Sequence, residues 1–183
     1  MIYLTRHGNR HDQHDKKWRS NCEFSWDTPI CPTHFPAMLN QAETLKDKIE
    51  VVYSSPFVRA MQTAWVYADV CSVPICIEGS LSECLKEKWF PNPESFQLLT
   101  TSELARNYPQ VDQTYQSRFD PKPPEGRRHC RRRVSRFLDW LIPQNSNCLL
   151  VGHGFSIKDC KVRFGMDGKI PPKGILLTPP NQD

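Results

Sequence analysis

Four short apolar runs divide the chain, at residues 1–5, 51–53, 75–77 and 147–152. Each is continuous rather than alternating, the pattern of a strand buried on both faces. Between them the spacing changes. Residues 37–48 place Met38, Ala42 and Leu45 on one stripe and charges on the other, predicting a helix. Residues 57–70 read as a second helix. Residues 125–142 read as a third, with Cys130, Val134, Leu138 and Leu141 as its apolar face, and another helix is expected from about residue 155. Strands alternating with helices predict an α/β three-layer sandwich, a mostly parallel central sheet flanked by helices. Many of the 16 prolines fall between these elements. Residues 87–124 read as an irregular excursion with one short helix near 102–107, and residues 171–183 as a loose tail. No internal repeat or second domain is visible, so residues 1–183 are expected to form one domain.

Composition narrows this picture. The chain has 183 residues and 38% hydrophobic content, enough for one sizeable core. A net charge of +4 and a pI near 8.6 suit an anionic substrate without indicating nucleic acid. No apolar run approaches membrane-spanning length, and no charged-then-apolar leader is seen, so a cytoplasmic location and no membrane partner are expected. The eight cysteines include no Cys-x-x-Cys pair and are expected as free thiols. Cys22, Cys31 and His34 lack a fourth zinc ligand.

The strand ends carry the chemistry. Arg6-His7-Gly8 closes the first run, where α/β sheets bind ligands, and is a candidate nucleophile beside a phosphate clamp. The fourth run ends in His153-Gly154. After the second run, Ser54 or Ser55 can cap a helix with Pro56 in its first turn, placing Arg59 one turn in, near an anion-attracting end. The third run leads into a loop carrying Glu83, with Glu78 and Glu87 competing for its role. Two histidines, several arginines and one acid form a phosphoryl-transfer inventory. His7, His11 and His14 have metal-like spacing, but Gly8 after a strand argues for a loop, and no metal or cofactor is expected. The cluster Arg127, Arg128, His129, Arg131, Arg132, Arg133 and Arg136 reads as a solvated helix face, with an electrostatic lure for acidic partners as the alternative.

Arg6-His7-Gly8, then Ser54-Ser55-Pro56-x-x-Arg59-x-x-Gln62-Thr63, then a strand ending in His153-Gly154 resembles the histidine phosphatase superfamily, also called phosphoglycerate-mutase-like. A narrower resemblance rests on Arg10-His11-Asp12 with Trp18, Asp27-Thr28-Pro29-Ile30 before Gln41-Ala42, and Ser102-Glu103-Leu104 before Val111-Asp112-Gln113-Thr114-Tyr115. These resemble the suppressor-of-T-cell-receptor-signalling and ecdysteroid-phosphate phosphatases. That branch commonly has Glu where this chain has Asn9.

The resemblance implies His7 as nucleophile, Glu83 as proton donor, and Arg6, Arg10, Arg59 and His153 as phosphate ligands, His153 donating if protonated. The residue three after the nucleophile is Arg10, unlike the small hydroxyl of the mutases. Gly154 stands where acid phosphatases place their Asp, so the acid role falls to Glu83. The expected activity is metal-independent phosphomonoester hydrolysis through phosphohistidine, on phosphotyrosine or another aryl or steroid-like phosphate. Trp89, Phe90, Phe96, Tyr108, Tyr115 and Phe119 are candidates to line its pocket. Phosphosugar hydrolysis or a mutase-type transfer is the alternative. A turnover-dead phosphate-binding or nucleic-acid-binding protein is the second. The partner is a phosphorylated small molecule or phosphoprotein; oligomeric state is left open.

Overall fold

The computed structural model describes residues 1–15, 17–21 and 26–180. Its centre is a five-stranded sheet of order β3-β2-β4-β1-β5. The strands are β1 (Ile2–Arg6), β2 (Val51–Ser54), β3 (Ile75–Ile77), β4 (Cys148–Gly152) and β5 (Leu176–Leu177). β1 pairs with β4, β4 with β2, and β2 with β3, all parallel; β5 runs antiparallel to β1. Parallel neighbours need crossovers, and helices supply them. These are α1 (Phe35–Glu43), α2 (Val58–Cys71), α3 (Thr101–Asn107), α4 (Arg127–Leu141) and α5 (Gly154–Arg163).

Alternation along the strands divides the core into two layers. Leu149 and Val151 of β4 and Val52 of β2 face α1 and α2, against Met38, Ala42, Ala60 and Ala64. Cys148, Leu150, Leu4 and Tyr53 face the other way, against Val134, Phe137 and Leu138 of α4 and Ile157 and Cys160 of α5. A third cluster of Phe57, Leu85 and Phe90 lies under the loops at the strand ends. The expected three-layer α/β sandwich is what forms.

Several sequence expectations shift. α1 stops at Glu43 rather than 48, because Leu45 and Lys48 donate to carbonyls three residues back and Asp47 turns left-handed at φ 61°. Leu45 stays buried all the same. Within the tail, residues 171–180 are described, and part of them packs on the fold. Pro171 is buried, and Leu176–Leu177 cover the open edge of β1. Gln41 clamps this strand: its Nε2 donates to Gly174 O at 2.7 Å and its Oε1 accepts from Leu176 N at 2.5 Å. An exposed edge of backbone groups next to two leucines is the physical reason.

The basic cluster of α4 is not one solvated face. Arg133 is fully buried and paired with Glu125, and Arg127 is paired with Asp159, while Arg128, Arg131, Arg132 and Arg136 remain exposed. Cysteines other than Cys22, which lies outside the described residues, are free. No helix among the described residues is long and apolar enough to cross a membrane.

Candidate active site

Three parallel strands end side by side, and each delivers one polar group. His7 follows β1, with its N–H bonded to Gly152 O at 2.9 Å. Ser55 follows β2, donating its N–H to Val151 O at 3.0 Å. His153 follows β4 and caps α5, its N–H donating to Ser156 Oγ at 2.9 Å. The backbone ladder therefore fixes His7 and Ser55, and the Ser156 hydroxyl fixes His153.

His7 is 1% exposed, and its Nδ1 lies 2.8 Å from the Gly8 carbonyl. A carbonyl can only accept, so Nδ1 carries the proton and Nε2 keeps its lone pair. Burial, then the Arg59 charge, holds the ring well below its ordinary pKa of 6.5. A neutral imidazole with a free Nε2 is the nucleophilic form. Gly8 allows the sharp turn, and a Cβ there would press on His34 Nδ1 at 3.1 Å. Gly8 N–H donates to Thr63 Oγ1 of α2 at 3.0 Å, tying the loop to the helix that carries Arg59.

His153 is fully buried, 5.1 Å from His7 between ring centroids. Its Nε2 contacts Ser55 Oγ at 2.9 Å, while its Nδ1 is buried without a hydrogen-bond partner, 3.7 Å from Glu83 Oε2. Burial and Arg59 hold this ring well below 6.5 too, which favours the neutral form over the protonated donor that the sequence leaves open. A neutral ring can still offer a donor at Nδ1 when Ser55 Oγ donates to Nε2.

Arg59 is the second residue of α2, not one turn in, because the helix begins only at Val58. The expected serine cap is also replaced. Asp27 Oδ1, 31 positions away, accepts the Val58 N–H at 2.8 Å, and Ser55 turns to His153 instead. The Arg59 guanidinium is 2% exposed, donates to Trp26 O at 3.1 Å, and sits 3.7 Å from both Asp27 and Glu83. Burial pushes the Asp27 carboxyl up to about 6 against the pull of Arg59. Arg59 also lies over the Phe57 ring at 4.7 Å.

Arg6 sends Nη1 to Pro171 O at 3.2 Å, leaving its buried Nε unpartnered. Arg10 is held by both Asp12 oxygens, at 3.0 and 2.5 Å, which aims its fork but occupies part of it. The three carboxylate candidates separate clearly. Glu78 is fully buried and consumed by the Ser80 and Arg118 N–H groups and the Tyr115 hydroxyl. Glu87 is exposed. Glu83 alone reaches Arg59 and His153.

These residues surround a cleft of about 470 Å³ lined by Arg6, Arg10, Arg59, Glu83, Trp26, Lys88, Trp89 and Phe90. A smaller hollow of about 170 Å³ adjoins it, sharing Trp26, Trp89 and Phe90 and adding Phe96. Of the six aromatic candidates, Trp89, Phe90 and Phe96 are thus at the site. Tyr108 packs on Trp65, Tyr115 binds Glu78, and Phe119 is exposed beside Gly79. Of the metal-like histidine run, His7 turns to the Gly8 carbonyl and His11 begins a 3-10 turn. His34 accepts the Asn9 N–H at 3.1 Å.

Sequence reasoning missed Ser55 as a partner of His153, Asp27 as a partner of Arg59, and Lys173. Lys173 bridges to Arg6 through the backbone, and burial and the charges of Arg6 and Arg10 lower its pKa. The Asp27-Thr28-Pro29 run was visible, but its contact with α2 was not.

Solved structures of similar fold support the comparison. Ecdysone phosphate phosphatase from Bombix mori, in complex with tungstate, shares 17% identity with a TM-score of 0.72, covering 94% of this chain and 82% of that one. A putative alpha-ribazole-5'-P phosphatase from Escherichia coli shares 21%, with a TM-score of 0.61 and coverage of 96% and 87%. A phosphoserine phosphatase from Entamoeba histolytica, in complex with 3-phosphoglyceric acid, shares 19%, with a TM-score of 0.58 and the same coverage. Among proteins of curated function, none matches the sequence significantly. The model of the histidine phosphatase superfamily (branch 1) matches residues 2–162, spanning all the strand ends described above, and this chain belongs to that superfamily.

Proposed function

We propose that this protein is a metal-independent phosphomonoesterase that works through a phosphohistidine on His7. The observation that carries the reading is the His7 ring: neutral, its Nδ1 pinned by the Gly8 carbonyl, 5.1 Å from a second buried imidazole and beside a buried arginine. A phosphomonoester brings nearly two negative charges. Arg6, Arg10 and Arg59 supply the positive charge that a divalent cation would otherwise supply, and His153 Nδ1–H adds a neutral donor.

The His7 Nε2 lone pair attacks phosphorus in line. The P–N bond forms, the ester P–O bond breaks, and Glu83 in its acid form gives its proton to the leaving oxygen. The Glu83 carboxylate then takes a proton from water as that water attacks phosphorus. The P–N bond breaks, and His7 and Glu83 return to their starting forms.

The leaving group is proposed to be aryl or steroid-like, phosphotyrosine included. Trp26, Trp89, Phe90 and Phe96 beside the arginines offer flat apolar faces where the leaving group must lie. The partner is a phosphorylated small molecule or phosphoprotein, and the proposed location is the cytoplasm. A turnover panel of aryl, peptide, sugar and nucleotide phosphates with chelator present tests the reading. Turnover led by aryl esters and unaffected by chelator is expected. Preference for sugar phosphates would favour the alternative. Salt-dependent oligonucleotide binding without hydrolysis of any ester would overturn it.

A further inference from the structure

Arg133 stands outside the phosphate site, yet its guanidinium is 1% exposed and surrounded by the loop that carries Glu83. Its Nε and Nη2 take both oxygens of Glu125, at 2.7 and 2.9 Å. The remaining N–H groups reach the backbone. Nη1 donates to Ser80 O and, at 3.4 Å, to Gly79 O. Nη2 reaches Ser82 O at 3.0 Å and Glu83 O at 2.7 Å. The one carbonyl of this stretch that Arg133 does not hold, Leu81 O, accepts from Ser156 Oγ at 2.8 Å, and the same hydroxyl receives the His153 N–H. Five consecutive carbonyls are thus held by two side chains. Glu125 closes the bracket on the far side through Leu85: Glu125 N–H donates to Leu85 O at 2.7 Å, and Leu85 N–H donates to the Glu125 side-chain Oε2 at 3.3 Å.

We infer that Arg133, oriented by Glu125, is the positioning residue for the proton donor: it sets where the Glu83 carboxylate sits relative to His153 and Arg59. The inference rests on the phosphatase reading and adds a part to it. Residues Gly79–Leu81 form one 3-10 turn, but Ser82 and Glu83 beyond it belong to no strand or helix, and such a segment has many backbone states of similar energy. Wrapping its carbonyls around a planar cation selects one, and only guanidinium offers five N–H groups in a fixed fork. A lysine ammonium has three donors at one point and cannot span Glu125 and four carbonyls. The Glu83 side chain, by contrast, touches nothing on Arg133, so the effect on chemistry passes only through the backbone.

The test is Arg133→Lys, with Glu125→Gln as a second, milder variant should the first fail to fold. Both are assayed on esters of graded leaving-group basicity, on vanadate affinity, and in combination with Glu83→Gln. Displacing a catalytic group by about 1 Å costs on the order of 10²-fold in rate. Phenyl or alkyl phosphate turnover should therefore fall by about that factor in Arg133→Lys, and by less in Glu125→Gln. The phosphorylation step with nitrophenyl phosphate, read as the burst rate, should fall by under about threefold, because an activated leaving group needs little protonation. Vanadate affinity should hold, since the arginine clamp is untouched. Added to Glu83→Gln, either substitution should cost little more, whereas a merely structural role would cost the same with or without Glu83. A phosphorylation step slowed uniformly across leaving groups, additivity with Glu83→Gln, or unchanged kinetics in a folded variant would overturn the inference while leaving an active wild type standing. A wild type inert on every ester would instead sink the phosphatase reading, and this inference with it.

Discussion

Ser55 Oγ lies 2.9 Å from His153 Nε2, and that contact decides which nitrogen of His153 is offered to a ligand. Ser55 Oγ also accepts the Phe57 N–H at 3.3 Å, so its own proton is free to go to the imidazole. With the Ser55 proton given to Nε2, the ring proton of His153 sits on Nδ1, which has no other partner. Ser55→Ala should release this tautomer lock. One neutral hydrogen bond is worth about 0.5–1.5 kcal/mol, so turnover should drop by about 3- to 10-fold with thermal stability changed little. Nitrogen NMR of His153 should show the ring proton divided between both nitrogens in the variant and confined to Nδ1 in the wild type.

His7→Gln should abolish hydrolysis, since no other side chain can accept the phosphoryl group. Acid quenching of wild type with labelled substrate should trap an acid-labile phosphoenzyme that the variant lacks. The same substitution carries a stability signature. The His7 pKa is held below its unfolded value of 6.5, so its contribution is fully present above that pH and is lost as pH falls below it. For one histidine the loss is at most about 1.4 kcal/mol per pH unit, reached where the unfolded ring is protonated and the folded one is not. Urea unfolding should show the variant's pH slope shallower by that amount. Asp27, whose pKa is raised to about 6, acts in the opposite sense in both proteins and cancels in the comparison.

Arg59→Ala removes the buried cation of the clamp. Turnover should fall by the roughly 2–4 kcal/mol typical of a lost transition-state donor, and vanadate should bind poorly. The Asp27 carboxylate would also be left buried without its cation. The accompanying stability loss should be larger at pH 8, where Asp27 must be charged, than at pH 5, where it holds a proton. Equal vanadate affinity in both proteins would contradict the clamp assignment.

Glu83→Gln keeps the size and polarity of the side chain but removes its acidic proton. Phosphotyrosine and alkyl phosphates should suffer most, nitrophenyl phosphate least, and the phosphoenzyme should accumulate with the activated ester. A small, even loss across leaving groups, with a large effect at Glu87 instead, would move the acid role there.

Local pattern alone was enough to locate the strand ends. Continuous apolar runs of three to six residues fit buried parallel strands, and a polar or glycine residue must follow where such a strand leaves the sheet. His7, Ser55 and His153 are therefore legible as strand-end residues, and Arg59 as a helix-start residue. The α4 stripe of Cys130, Val134, Leu138 and Leu141 is likewise legible from its period, and all four are buried. What those residues do to one another was decided in three dimensions. Ser55 meets His153 across 98 positions, Asp27 caps α2 across 31, and Arg133 reaches the Glu83 loop across about 50. Arg133, three after Cys130 and four before Phe137, falls on the buried face of α4 among arginines that are exposed, but which carbonyls and carboxylate would pair it there was not legible along the chain. The two-residue strand at Leu176–Leu177 is too short to show a period and forms because β1 leaves an edge to be covered. Sequence set the elements and their chemical endings, because those depend on local periodicity and on backbone groups that must be paired. Tertiary structure set protonation, tautomer and orientation, because these depend on charge and hydrogen bonding between residues far apart in the chain.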